Sequence, residues 1–356
     1  MILLGSTGSI GVNTLHIAKK FDINIEILVC GNNINLLNKQ ILEHSPKVVV
    51  IADASDVHKV NHSNVFSGSD AILEVIQDSK SDLVVNALVG FLGLRPTLKA
   101  LECGKRVALA NKESLVACGA FIDVSRIQPI DSEHFGLWYL MQEREVSRMT
   151  ITASGGAFRD WDIKKLQNAT LADTQKHPNW SMGQKITIDS ATMTNKMFEL
   201  LEARWLFGEG SYDAIIETKS LIHALIDFKD GSTTAHFARA SMQLPIAYAL
   251  DCKMNESILE HVDLVKVGSL EFREIEKSRY PVWEIKEELL KNPARGVVVN
   301  AANEVAIEKF INKEIGFMDI SKTIIEAFEK YSVIPKSIDD VFGLDAEVRE
   351  VLKLAK

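Results

Sequence analysis

The run Ile2-Leu3-Leu4-Gly5-Ser6-Thr7-Gly8-Ser9-Ile10-Gly11 decides how the rest of the chain is read. Three apolar residues lead into glycines at every third position, and from residue 12 to residue 20 the apolar positions recur at helical spacing. Strand, tight turn and helix in that order open a parallel α/β sheet that binds a dinucleotide. The glycines let backbone approach a pyrophosphate, and the helix start supplies unpaired N–H groups and a favourable dipole. The competing reading is a strand–helix turn with no ligand; its place between a strand and a helix favours the cofactor.

Working outward, apolar runs at residues 48–51, 83–89 and 106–110, separated by helical stretches, continue a Rossmann-like parallel sheet over residues 1–130. A strand at 25–30 ends at Gly31-Asn32-Asn33, where an NAD site usually carries an acidic residue on the ribose. Its absence leaves room for a 2′-phosphate, with Asn32 and Asn33 offering hydrogen bonds but no positive charge. Gly90 to Gly93 and Asn111-Lys112-Glu113-Ser114 follow other strand ends, where such sheets hold ligands. Lys112 either faces the site or pairs with Glu113.

A chain of 356 residues exceeds what one core usually serves, so two or three domains are expected. The formal charge of −8 argues against nucleic acid or an anionic membrane as partner. Cys30, Cys103, Cys118 and Cys252 are scattered without a CxxC spacing, which points to neither zinc nor a disulfide framework and fits a reducing cytoplasm. No apolar run approaches the roughly 18 residues of a membrane span, and Met1 leads directly into a strand without a targeting prefix.

Residues 131–252 read as a central α+β catalytic domain. Asp131-Ser132-Glu133-His134 follows a short apolar run; at an extended strand end, residues two apart point the same way, so Asp131 and Glu133 could both face one hard divalent cation. A strand at 149–153 runs into Ser154-Gly155-Gly156, a place to clasp an anion. The stretch of about 157–185, with Trp161 and His177-Pro178-Asn179-Trp180-Ser181-Met182-Gly183, reads as a lid. Asp189 and Ser190 are expected to cap a helix running to Phe207, with Met193, Met197, Phe198, Leu200, Leu201 and Trp205 on its apolar face. Thr192, Asn195, Lys196 and Glu199 line the other face, either as a solvated stripe or as components of a site for a metal-bound sugar phosphate. Residues 221–228 and 233–237 form a β-hairpin about Asp230-Gly231. A linker is expected at 253–280, then a small helical domain at 281–356 with helices at 282–291, 297–312, 321–331 and 345–355.

Taken together, Gly5 to Gly11, Ala110-Asn111-Lys112-Glu113-Ser114-Leu115-Val116, Asp131-Ser132-Glu133-His134, Ser154-Gly155-Gly156, His177 to Gly183, Asp189 to Glu199 and Asn300-Ala301-Ala302-Asn303-Glu304 resemble, in this order, the 1-deoxy-D-xylulose 5-phosphate reductoisomerase family. The resemblance implies a homodimeric cytoplasmic enzyme that uses NADPH and a divalent cation, Mg²⁺ or Mn²⁺ with Co²⁺ as a further option. It implies conversion of 1-deoxy-D-xylulose 5-phosphate to 2-C-methyl-D-erythritol 4-phosphate in the non-mevalonate isoprenoid pathway. By the same resemblance Asp131, Glu133 and Glu199 are metal ligands, and Lys112 acts beside them in catalysis. Ser132, Ser154, His177, Ser190, Asn195 and Lys196 contact the substrate, and Trp180 closes over it. Gly5, Ser6, Thr7, Gly8, Ser9, Ile10 and Gly11, then Gly31, Asn32, Asn33, Asn111, Glu113 and Gly183, are implied to contact the cofactor.

The chain departs from the family pattern in three places. The family often has a basic residue near Asn32. Where many members carry His-Pro-Gln-Ser, this chain has Glu217-Thr218-Lys219-Ser220, and where Gly-Leu is usual it has Met197-Phe198.

Overall fold

The chain is described by a computed structural model covering residues 1–141, 143–180 and 182–355. Seven strands form its first sheet: β1 (Ile2–Leu4), β2 (Ile27–Cys30), β3 (Val48–Ile51), β4 (Val65–Ser67), β5 (Leu83–Asn86), β6 (Arg106–Leu109) and β7 (Ile127–Pro129). Their order is β4-β3-β2-β1-β5-β6-β7 and every neighbour is parallel. Parallel neighbours need crossover connections that cover both faces, and β1, β2 and the first three residues of β5 read as unbroken, buried apolar runs. The strand order reverses between β1 and β5, so the glycine turn that follows β1 stands at the switch point where such sheets bind ligands.

The chain divides into two compact units. The first unit is Met1–Ser114, Asp123–Ser132 and Ser241–Leu259. Residues 241–252, expected in the central domain, belong here because helix Gln243–Ala249 places Ile246, Ala247 and Ala249 in the same core as Leu15, Ala18, Leu28 and Ile130.

The second unit is Leu115–Ile122, Glu133–Ala240 and Glu260–Lys356. Its sheet holds β8 (Val146–Ala153), β9 (Tyr212–Glu217), β10 (Ile222–Phe228), β11 (Thr233–Phe237) and β12 (Phe272–Arg273) in the order β11-β10-β8-β9-β12. Only β8 and β9 are parallel; β10 and β11 form the expected hairpin. The C-terminal helices Gly296–Ile311, Phe317–Lys330 and Ile338–Leu354 form the helical region expected at the C-terminal end and lie within this unit. Helix Gly296–Ile311 is buried almost all round, Val297 to Val299 and Ala301 being fully covered.

Three local expectations change. Strand β7 ends at Pro129 and a helix begins at Ser132, so Glu133 lies in a first helical turn and the two-residue strand spacing does not apply. The single helix expected from Asp189 to Phe207 is two, Gln184–Thr192 and Thr194–Phe207, broken at Met193 with φ +70°; Asp189 and Ser190 are in the last turn of the first and cap nothing. Within 157–185, residues Ile163–Asn168 form a 3₁₀ helix and Leu171–Thr174 a helical turn closed by a Thr170/Asp173 capping box. Phe158, fully buried, meets Trp161 and Phe317 edge-on, so this stretch is packed framework. Residues 176–180 and 182–183 form no helix or strand, and neither do 157–162 and 169–170; Ser181 lies outside the described residues.

Candidate functional site

In the first unit the glycine turn is built for close approach. Gly5 has φ +83°, and a Cβ there would lie 2.5 Å from the Ala87 carbonyl oxygen; one on Gly11 would lie 2.2 Å from that of Gly5. The N–H groups of Gly5 and Ser6 both donate to the Val29 carbonyl, fixing the turn against β2. Helix Ser9–Lys20 begins at Gly8 with no side-chain cap, leaving its first N–H groups to a ligand or to solvent. Thr7 meets Cys30 at 3.3 Å across the turn. Asn32 is exposed, whereas Asn33 uses its side-chain oxygen to cap helix Ile34–His44 by accepting the Leu36 N–H at 3.2 Å.

Lys112 stands at the start of helix Lys112–Cys118 and is 6% exposed. Its ammonium donates to Asp131 Oδ2 at 2.7 Å. Asn111 is buried, and its amide donates to the carbonyls of Leu88 and Gly90 and to Glu113. Asn111 and the buried Glu113 therefore shape the 88–93 turn from beneath.

In the second unit the polar stripe of the split helix is inside the protein. Lys196 is 5% and Glu199 1% exposed, which rules out a solvated face for them. The Lys196 ammonium sits between Glu133 Oε1 at 2.8 Å and Glu199 Oε2 at 2.5 Å. Burial works against the charge on Lys196, but the two carboxylates outweigh it and hold its pKa above the ordinary lysine value. Asn195 donates to the other oxygen of Glu199. The carboxylates of Glu133 and Glu199 lie within 4.8 Å of each other, and the chain itself keeps Asp131 two residues from Glu133.

The Ser154-Gly155-Gly156 turn abuts the end of helix Gln184–Thr192. Gly156, at φ +67°, comes so close to the Ser190 carbonyl that a Cβ would lie 2.6 Å from it, so the turn packs directly on the end of that helix. His177 Nδ1 accepts the N–H groups of Asn179 (3.2 Å) and Trp180 (2.9 Å), so its proton is on Nε2, which donates to Ser154 Oγ at 2.8 Å. Ser154 Oγ also accepts the Gly156 N–H at 3.1 Å, and its own hydrogen is left to donate to an anion. Burial, then the charges of Lys196 and Arg159, push His177 down to about 4, which keeps it neutral near pH 7. Trp180 presents itself edge-on to His223, ring centroids 6.3 Å apart. Gly183 is exposed with open space around it.

Sequence reasoning did not single out Arg159 or His223, and it named Asn179 only as part of the lid stretch. Arg159 donates to the carbonyls of Ser154 and Thr218, so a basic residue just after a Gly-Gly turn was the available signal. His223 had none, since it reads as an ordinary strand residue.

Among known proteins, profiles described as 1-deoxy-D-xylulose 5-phosphate reductoisomerase, its C-terminal domain, and DXP reductoisomerase C-terminal domain match residues 1–119, 127–207 and 237–351 respectively. The 1-deoxy-D-xylulose 5-phosphate reductoisomerase of Nautilia profundicola is 59% identical over 98% of this chain and 98% of its own, and that of Wolinella succinogenes 52% over 98% and 99%. A crystal structure of DOX-P reductoisomerase in complex with NADPH, fosmidomycin and magnesium superposes with a TM-score of 0.92 at 30% identity, covering 99% of this chain and 97% of that one. The Zymomonas mobilis enzyme in complex with NADPH gives 0.88 at 33%, covering 99% of both. With the glycine turn, the buried carboxylate–lysine cluster and these matches over nearly its whole length, the chain belongs to the 1-deoxy-D-xylulose 5-phosphate reductoisomerase family.

Proposed function

We propose that the protein converts 1-deoxy-D-xylulose 5-phosphate to 2-C-methyl-D-erythritol 4-phosphate for isoprenoid synthesis, by isomerisation followed by reduction with NADPH. The observation that carries this reading is the buried Glu133–Lys196–Glu199 cluster, because a dry pair of carboxylates needs a cation. Lys196 supplies a positive charge where a divalent ion would sit, and a donor set of carboxylate oxygens alone suits Mg²⁺, Mn²⁺ or Co²⁺. Asp131, Glu133 and Glu199 would hold that ion. When bound, it supplies Lewis-acid polarisation of the substrate ketone and its neighbouring hydroxyl. The Gly5–Gly11 turn would hold the pyrophosphate of NADPH, which would supply a hydride for the reduction.

The chain's own residues do the rest. Lys112 orients Asp131 through their 2.7 Å contact. Ser154, aimed by neutral His177, donates to the substrate phosphate together with Ser190, Asn195 and Lys196. Binding energy spent on this unreactive phosphate fixes the position of the reacting carbons. Trp180 covers the substrate from the segment after Gln175, which narrows the lid expected at 157–185. Ser132 lines the substrate side of the carboxylates, and Gly31, Asn32 and Gly183 lie along the cofactor. Two copies are proposed to associate as a homodimer in the cytoplasm; among the described residues no helix is long and apolar enough to cross a membrane.

The test is turnover against Mn²⁺ concentration for the parent and for Asp131→Asn, Glu133→Gln and Glu199→Gln, with NADPH affinity measured in parallel. Each variant should lose metal affinity and turnover together while still binding NADPH. Parent-like metal curves in all three would remove the metal role.

A further inference from the structure

We propose that Asn179 is a positioning residue, latching the segment that carries His177 and Trp180 onto the turn 217–220. The turn is shaped by Glu217, which is fully buried at the end of β9. One of its carboxylate oxygens accepts the Lys219 N–H at 2.8 Å, and the other accepts those of Leu221 at 2.7 Å and Ile222 at 3.3 Å. A carboxylate that gathers three backbone N–H groups draws the chain into a tight loop, and Ser220 takes the strained left-handed φ of +52° to close it. Lys219 then reaches away to the Val267 carbonyl at 2.7 Å. An acid thus does structural work at the position where the family pattern has an imidazole.

The acceptors this turn presents are both taken by one amide. Asn179 Nδ2 donates to the Thr218 carbonyl at 3.0 Å and to Ser220 Oγ at 2.7 Å. The Thr218 carbonyl also accepts Arg159 Nη1 at 3.0 Å, and the same nitrogen donates to the Ser154 carbonyl at 2.9 Å. Two side chains therefore join three separate stretches of sequence around one carbonyl oxygen. The backbone N–H groups of Asn179 and Trp180 hold His177 Nδ1 as an acceptor, which in turn directs Nε2–H at Ser154. Fixing Asn179 fixes the tautomer and the direction of the Ser154 hydroxyl without Asn179 touching substrate. This rests on the reading of Ser154 and His177 as phosphate ligands.

The experiment compares Asn179→Ala, Asn179→Asp and Ser220→Gly in the full chain. It measures KM and kcat for 1-deoxy-D-xylulose 5-phosphate, NADPH affinity, thermal stability and tryptic cleavage after the exposed Lys176. Loss of two neutral hydrogen bonds predicts a KM increase of roughly 5–20-fold in Asn179→Ala, with kcat within about threefold of the parent. NADPH affinity and stability should hold, and cleavage after Lys176 should quicken. Asn179→Asp should not restore KM, because a carboxylate keeps the shape but cannot donate to the Thr218 carbonyl. Ser220→Gly removes one acceptor and relieves the positive φ, so KM should rise by a smaller factor without loss of stability. Unchanged KM and cleavage in Asn179→Ala would overturn the latch, and so would a parallel fall in kcat, NADPH affinity and stability. Ser154→Ala separates the two readings: if its KM is parental while Asn179→Ala still exposes Lys176, the phosphate assignment fails and the latch survives.

Discussion

Replacing Lys196 with Met should make metal binding tighter while abolishing turnover. The substitution keeps length and apolar stem but removes the ammonium from between Glu133 and Glu199, 2.8 Å and 2.5 Å away. At an effective dielectric of about 20, each contact corresponds to roughly 6 kcal/mol of Coulomb attraction. Desolvation offsets much of it, and breaking a buried pair from one side costs about 3–5 kcal/mol net. In chelator the variant should therefore melt some 6–20 °C below the parent, at roughly 2–4 °C per kcal/mol for a unit of this size. Mn²⁺ should restore more stability to the variant than to the parent, because it no longer has to displace Lys196; its affinity, read by calorimetry, should rise by about tenfold or more, equivalent to some 1.4 kcal/mol. Turnover should fall at least a hundredfold, since the phosphate loses its buried cation, a charge-assisted contact of about 1.5–3 kcal/mol in the ground state and more where charge is fixed for reaction. Unaltered melting in chelator together with Mn²⁺ affinity equal to or weaker than the parent's would refute the reasoning.

Gly11→Ala, whose Cβ would sit 2.2 Å from a backbone oxygen, should cost about 1–3 kcal/mol or more and weaken NADPH binding, checked by chemical denaturation and cofactor titration. Asn32→Arg should raise the preference for NADPH over NADH by about tenfold, through a charge-assisted contact to the 2′-phosphate; equal specificity constants for parent and variant would contradict this. His177, at about 4 in the fold against an ordinary 6.5, should show a neutral ring with hydrogen on Nε2 from pH 8 down to about pH 5 in ring-nitrogen NMR. Because its folded pKa is depressed, the contribution of His177 to stability is present above pH 6.5 and is lost as pH falls toward 4, an acid-side decline that His177→Gln should flatten.

The parallel sheet was legible because β1, β2 and β5 are continuous apolar strands with glycines or asparagines at their ends, a local pattern. The proposed site residues rest on a different ground: spaced motifs shared with a family nominate Ser154, His177, Lys196 and Glu199, while periodicity alone leaves the stripe of Lys196 and Glu199 open between a solvated face and a site. What the sequence hid is long-range. Nothing between residues 189 and 207 announces a break at Met193, since methionine has no preference for φ +70° and the tertiary structure imposes it. Likewise the Asp131/Glu133 pair was read from strand spacing, yet helix Ser132–Leu140 begins between them. Glu217 looked like a plain departure from the family pattern; its three backbone partners appear only once β9 and β10 are in place.

The return of Ser241–Leu259 to the first unit bears on how the protein is made. Strand β7 and its neighbours leave the ribosome long before helix Gln243–Ala249, which supplies Ile246 and Ala247 to their core. At roughly 5–20 residues per second, the wait for that helix after residue 132 is about 6–25 s. Throughout it the back of helix Ser9–Lys20 stays uncovered, exposing apolar surface while the intervening segment is being synthesised. The parallel sheet, though N-terminal, cannot mature first. A fragment ending near residue 130 would carry the whole glycine turn and all seven strands and still lack the piece that closes its core.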